Sequence, residues 1–219
     1  VDDRNYSETL PRTVFLVCLL TQFAAAEGGP GENADIEIGG PGSGPGQFLE
    51  LQDITFGPDN RLYTLEGRRL DNQSRQWVGN CRVQVFDNAG KFLEQFAVAA
   101  DGLVAERAPA RIAVSDDGRV FVSEPASGVV LEYQRRGGWQ CNRSYPIPKA
   151  YALAPWILRG RQHIAVVGRR YEHNQWVPFD KLQLIDYRSG KLAEPIALGR
   201  PVADVMDIQP DRRGNLLIV

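Results

Sequence analysis

A short apolar strand, a turn built from Asp, Gly, Pro or Asn, and a second alternating strand recur along this chain. The first copy runs Ile54-Thr55-Phe56-Gly57-Pro58-Asp59-Asn60-Arg61-Leu62-Tyr63-Thr64-Leu65-Glu66. The second runs Ile112-Ala113-Val114-Ser115-Asp116-Asp117-Gly118-Arg119-Val120-Phe121-Val122-Ser123-Glu124. A third lies in 205–219, from Val205-Met206-Asp207 to Leu217-Ile218-Val219. Each is the local signature of a β-hairpin. Further hairpins follow. Arg82-Val83-Gln84-Val85-Phe86 turns at Gly90 into Lys91-Phe92-Leu93, and Val129-Val130-Leu131-Glu132-Tyr133 turns at Gly138 into Trp139-Gln140-Cys141. Lys181-Leu182-Gln183-Leu184-Ile185 turns at Gly190 into Lys191-Leu192, and its partner hairpin is read in Tyr151–Leu158 and His163–Val167. The turn glycines 90, 138 and 190 lie 48 and 52 residues apart. Four short strands every fifty residues or so is the spacing of β-propeller blades. The 22 glycines and 14 prolines suit such a turn-rich, all-β chain.

The run Gly44-Pro45-Gly46-Gln47-Phe48, then Arg82-Val83-Gln84-Val85-Phe86-Asp87 and Gly90-Lys91-Phe92, resembles the NHL-repeat family of propellers. The resemblance covers roughly residues 44–219 and is strongest in 44–96. It implies a six-bladed ring. Where a family repeat typically ends its second strand on Asp, this chain has Glu66, Glu124 and Gly168.

The expected fold is therefore an all-β partial propeller of about three and a half four-stranded blades. The blades fall at about 47–100, 108–147, 150–198 and, incompletely, 202–219. A closed ring needs 4 to 8 blades, and the chain stops on an apolar strand, so the sequence predicts a truncated product with an open apolar sheet face. Residues 27–46 read as a Gly/Pro-rich linker, and Asp35-Ile36-Glu37-Ile38 within it as an outer strand closing the last blade. Ahead of it, Arg12, the apolar stretch Thr13–Phe23 and Ala24-Ala25-Ala26 have the order of a secretory signal peptide, a helix cleaved after Ala26. Asp2, Asp3 and Glu8 are foreign to such a leader and read as translated upstream sequence. The apolar stretch is shorter than the roughly 20 residues a spanning helix needs. A secreted or periplasmic product follows, with no membrane segment in its mature form.

In an up-and-down blade the loops between second and third strands share a face with the connections between blades. Two of those loops are long. Residues 67–80 include Arg68, Arg69 and Trp77; residues 169–179 include Arg169, Arg170, His173 and Trp176. Arg offers planar donors for carboxylate or phosphate, and Trp a flat apolar platform. A loop-rich face over a rigid scaffold is where binding resides. Solvated arginines on elaborate connections are the plainer alternative.

Glu66 and Glu124 end second strands toward the same face. Two carboxylates there can hold Ca²⁺ with main-chain oxygens; equally, strand-end acids accept hydrogen bonds from loop N–H groups. Zinc-dependent propeller lyases draw several His from different blades, whereas only His163 and His173 exist here, both in one unit. Catalytic zinc needs three protein ligands, so any Ca or Zn site depends on residues of a longer protein. Cys81 and Cys141 remain after leader removal, as a disulfide between adjacent blades or as free thiols.

A net charge of −2 and the scatter of the arginines disfavour a nucleic-acid partner. The Gly-rich run 39–46 lacks the Lys and the following helix of a phosphate loop, and no Gly-x-Ser-x-Gly motif is present. Three functions remain. One is a module binding a protein or small-molecule ligand. The second is a metal-dependent enzyme resembling the gluconolactonase-like or lyase propellers. The third is a structural repeat of a larger extracellular protein.

Overall fold

The computed structural model describes residues 37–71, 73–98, 109–168, 170–172, 175–177, 179–202, 207–211 and 213–218. At 69, 70, 170–172, 175–177, 179 and 200–202 it describes the backbone alone. Val1–Ile38 and Gly39–Val219 are separate units. The expected signal segment lies outside the described residues. Of the closing strand expected at 35–38, Glu37 and Ile38 are described and are not in a strand. Gly39, at φ +81, turns the backbone out of an extended path immediately after them.

Strands β1 (Gly40–Pro41) and β2 (Gln47–Phe48) form a short parallel pair. The first four-stranded sheet is β3 (Leu51–Phe56), β4 (Leu62–Leu70), β5 (Trp77–Phe86) and β6 (Phe92–Ala97), in that spatial order. The second is β7 (Arg111–Val114), β8 (Val120–Glu124), β9 (Val129–Arg135) and β10 (Trp139–Pro146). The third begins with β11 (Ala150–Leu158) and β12 (Arg161–Gly168). A two-stranded ribbon of β13 (Arg170–Glu172) and β14 (Gln175–Val177) follows. β15 (Phe179–Asp186) and β16 (Lys191–Val202) then complete the sheet. A last antiparallel pair is β17 (Ile208–Pro210) and β18 (Leu216–Ile218). Every neighbouring pair within the sheets is antiparallel. No helix occurs among the described residues. The expected all-β partial propeller is what the chain forms: three complete blades and a hairpin of a fourth.

The repeat is visible in the turns. Gly57 N–H donates to Arg61 O, Ser115 N–H to Arg119 O and Asp211 N–H to Asn215 O, all at 2.8–2.9 Å. Three residues into each turn stands a left-handed residue, Asn60, Gly118 or Gly214. Such turns demand Gly or Asn there, which is why the sequence signal was legible.

Side chains alternate across a strand, and here both faces of the central strands are apolar. Val120, Val122, Leu131 and Tyr133 of blade 2 join Tyr63, Leu65, Val83 and Val85 of blade 1. Phe121 and Val130 face the other way and join Ile164, Val166 and Ile185 of blade 3. Ala165, Val167 and Leu184 in turn meet Ile208 of the fourth. Each blade is thus cemented to the next by its own odd or even register. The inner strands β3, β7, β11 and β17 contact one another in that succession.

The blade 1 face turned away from blade 2 departs from the expected open apolar surface. Thr64, Glu66, Arg82 and Gln84 are buried there under the loop 43–49. Arg82 pairs with Glu66 and donates to Ser43 O (2.9 Å), Gly44 O (3.1 Å), Gln47 O (2.8 Å) and Gln95 Oε1 (3.0 Å). Gln84 accepts from Gly46 N–H and donates to Gln47 O. Phe48 packs on Phe86 at 5.9 Å. Buried ions persist only when paired and hydrogen-bonded, and this cage meets that condition.

Candidate ligand-binding face

In each blade the second strand ends, and the first begins, on one face of the molecule. Of the residues singled out from the sequence, Glu66, Arg68, Arg69, Trp77, Glu124, Arg170 and Trp176 belong to strands that reach this face. The connections expected to be loops are partly strands. In blade 1 the ladder continues outward from the sheet through Arg68↔Gly79, Arg69↔Val78 and Leu70↔Trp77. In blade 3 a separate ribbon pairs Arg170↔Val177, Tyr171↔Trp176 and Glu172↔Gln175. The base of the blade 1 ribbon turns at Gly79, φ +104, where an added Cβ would meet Gly67 O at 2.8 Å. Its tip is an Asp71 turn: Asp71 Oδ1 accepts from Gln73 N–H, Ser74 N–H and Ser74 Oγ.

Arg68 is half-buried, its Nε donating to Gly79 O at 3.2 Å. Trp77 is 44% exposed. For Arg69, Arg170 and Trp176 only the backbone position on the ribbons is known; Arg169 and His173 lie outside the described residues. The two ribbons stand on blades 1 and 3, with blade 2 between them.

Glu66 and Glu124 occupy the same register, and the structure gives them different surroundings. Glu66 is wholly buried, paired with Arg82, and accepts from Gln84 Nε2 (3.1 Å) and Leu49 N–H (2.9 Å). The position opposite Glu66 is Arg82; the position opposite Glu124 is Val129. Glu124 is 5% exposed; its Oε2 accepts from Ser127 N–H at 2.5 Å, and its Oε1 is buried without a hydrogen-bond partner among the described residues. Both acids therefore accept loop N–H groups. Ca²⁺ and Zn²⁺ do not fit these residues: Glu66 is committed to Arg82, and no group of three His, Cys, Asp or Glu is placed to ligate a metal among the described residues. His163 is buried in β12, its Nδ1 3.0 Å from Arg161 O. Cys81 is half-buried and Cys141 exposed, and they are not bonded to each other.

The start of the inner strands carries a group that sequence reasoning missed. Asp53 Oδ2 accepts the main-chain N–H of Ile112 in the next blade at 2.9 Å. Burial pushes its carboxyl up to about 6; the Ile112 N–H and the Arg111 guanidinium pull it down, and Asp207 adds to the rise. Asp53, Arg111 and Asp207 take the same place in blades 1, 2 and 4, each four residues before the turn donor Gly57, Ser115 or Asp211. That spacing was present in the repeat. So was the signal for the cage, since Arg82 and Gln84 are alternate polar residues inside an otherwise apolar strand.

A second buried centre locks blade 2 to blade 3. Glu132, fully buried, accepts from Arg119 Nη1 (3.0 Å), Asn142 Nδ2 (3.0 Å) and the Tyr145 hydroxyl (2.5 Å). Arg119 also donates to Tyr187 O at 2.7 Å. Burial, and donation to Asp116, push the Tyr187 hydroxyl well above the usual phenol range. The carboxylate of Glu132 is satisfied within the protein, and Arg119 is further paired with Asp117 at 3.0 Å.

No family model matches this chain, and no curated protein matches its sequence. Solved structures match its fold. A protein of unknown function from Bacteroides caccae is 15% identical, with a TM-score of 0.55 over 77% of this chain and 55% of that one. Kuenenia stuttgartiensis hydrazine synthase is 17% identical, with a TM-score of 0.52 over 82% and 45%. The WD40 repeats of RRP9 are 12% identical, with a TM-score of 0.51 over 83% and 56%. The chain spans about half the length of these neighbours. WD40 repeats build propeller blades, and the four-stranded units, their succession and this likeness together make the chain a partial β-propeller.

Proposed function

We propose that this chain belongs to an exported, NHL-type propeller that binds a protein or small-molecule ligand through the ribbons of its second-to-third-strand connections. Trp77 carries the reading. An indole left 44% exposed stands near the tip of a ribbon that the blade does not need in order to close, paired with Leu70 beside the Asp71 turn. Exposed aromatic platforms beside arginines are the composition of binding hot spots. The planar donors of Arg68, Arg69, Arg169 and Arg170 suit an anionic group, carboxylate or phosphate.

The test uses the full-length protein and two probes, inorganic phosphate and polyglutamate, with tryptophan fluorescence as readout. Binding is expected in the parent and its loss when the four arginines are changed to Ala. A variant that binds both probes as the parent does removes the ribbons from the site. Metal analysis separates this reading from the metal-dependent enzyme: stoichiometric zinc or calcium in the purified protein favours the enzyme. Export is tested by sequencing the mature N-terminus, expected at Glu27.

A further inference from the structure

The hairpin turns, those between first and second strands and between third and fourth, close on the face opposite the ribbons. They are the stretches 57–61, 87–91, 115–119, 135–138, 159–161, 186–191 and 211–215, and of these only position 212 lies outside the described residues. Their described residues include ten Lys or Arg against six Asp, although the chain as a whole carries a net charge of −2. The six carboxylates are all engaged. Asp59 pairs with Arg61, Asp117 with Arg119 and Asp116 with Arg188. Asp87, Asp186 and Asp211 accept main-chain N–H groups of their own turns at 2.8–3.2 Å. Arg135 pairs with Glu94 of blade 1. Six cations are left over: Lys91, Arg136, Arg159, Arg161, Lys191 and Arg213. All six are exposed, and their side chains have no ion pair or hydrogen bond among the described residues.

The β11–β12 hairpin shows the pattern most sharply. Its pairs Ile157↔Gln162 and Leu158↔Arg161 carry the ladder up to a two-residue turn, Arg159-Gly160. Both turn residues are left-handed, at φ +51 and +72. Asn-Gly is the least strained pair for such a turn, so an arginine is held there at a conformational cost. Ile157 stands two residues before it, 59% exposed. Exposed leucines also accompany the free lysines: Leu93 follows Lys91 by two residues, and Leu192 follows Lys191 directly. Unpaired cations interleaved with exposed apolar side chains suit a surface whose negative charges lie over an apolar layer. An anionic lipid bilayer is that surface. Each Lys or Arg near its phosphates adds to the attraction, and apolar side chains enter the layer beneath. An acidic protein supplies the charges without that layer.

We propose that the turn face is a peripheral docking surface for an anionic membrane, with Arg136, Arg159 and Arg161 on lipid phosphates and Ile157 in the interfacial layer. This surface does not rest on the ribbons, which lie on the opposite face and leave the turns free when they hold a ligand.

The test is co-sedimentation of the full-length protein with vesicles of phosphatidylcholine alone and of phosphatidylcholine mixed with phosphatidylglycerol. Binding is expected to the mixed vesicles only, and to be lost in about 1 M salt, where screening shortens the reach of charge to about 3 Å. Arg136→Gln, Arg159→Asn and Arg161→Gln together should weaken binding about a hundredfold. Ile157→Gln should weaken it several-fold and leave its salt dependence unchanged. Changing the four ribbon arginines to Ala should leave vesicle binding as in the parent, so loss of the ribbon site and loss of this surface are read separately. The proposal is overturned if the parent binds both vesicles alike, or binds neither, whether or not it binds a soluble polyanion such as heparin. It is also overturned if the triple variant binds as the parent does, or if the ribbon variant alone loses binding. Should the triple variant fail to fold, Arg159→Asn decides: it places the favoured residue in its turn and should still weaken binding about fivefold, and parent-like binding by it overturns the proposal.

Discussion

At the scale of single residues, the fold changes the chemistry of Asp53 most. Its carboxyl is partly withdrawn from water, and its compensation is the N–H groups of Ile112 and Ile54 and the nearby Arg111, against Asp207. With a folded pKa of about 6 against 3.8 unfolded, the native state holds the proton more tightly. The contribution of this group to stability is therefore complete below pH 4 and declines as pH rises through 6. Asp53→Asn keeps an acceptor for Ile112 and removes the titration. Relative to the parent it should gain about 3 kcal/mol between pH 3 and pH 8, from about two units at 1.36 kcal/mol each. Urea unfolding of both proteins at the two pH values measures this, and an unchanged difference contradicts it. None of it is readable from the sequence, where Asp53 is a polar residue at the head of a strand. Burial is a property of what packs against the residue.

At the scale of elements, the hairpins were legible and the long connections were not. Turn residues and alternation mark Phe56-to-Leu62 and Val114-to-Val120 as strand pairs because the turn chemistry is local. The stretch Arg68–Trp77 has only Leu70 and Trp77 as apolar residues and no alternation between them, so nothing in its pattern predicts the ladder it makes. That ladder is an outgrowth of the β4–β5 register, stiffened by the Asp71 turn and by Gly79. Gly79→Ala introduces a side chain at φ +104 against Gly67 O, at a cost of about 1–3 kcal/mol. The cost falls on the ribbon. Amide exchange should accelerate at Arg68 and Val78 and stay unchanged at Leu131 and Val166, whose blades do not depend on it. Equal acceleration everywhere would show that the ribbon and the blade unfold as one.

At the scale of the whole molecule, the blades form a chain of nearest-neighbour contacts, and stability should follow that order. Ile208 is buried at the seam of blade 3 with the β17–β18 hairpin, among Ala154, Val167 and Leu184. Ile208→Ala should cost about 2–5 kcal/mol locally. Hydrogen exchange should rise through 208–218, less in blade 3, and not at Leu65 or Val83 in blade 1. A uniform rise through all blades would replace this modular picture with a single cooperative unit. The seams differ in character: blades 1 and 2 meet through apolar side chains plus the Asp53 bond, and blades 2 and 3 through the Glu132 centre as well.

The period of about fifty residues, the alternation inside each strand and the Gly or Asn at each turn settled the all-β blade architecture, because these act between neighbours a few positions apart. Which face of a strand meets which blade is also set by odd and even positions. What the charged residues do there was decided only by packing. Glu66 and Glu124 are the same letter at the same place in the repeat. One stands opposite Arg82 beneath a capping loop, and the other stands opposite Val129 and is held by the Ser127 N–H. A carboxylate's role depends on the dielectric and the donors around it, and those are contributed by segments tens of residues away.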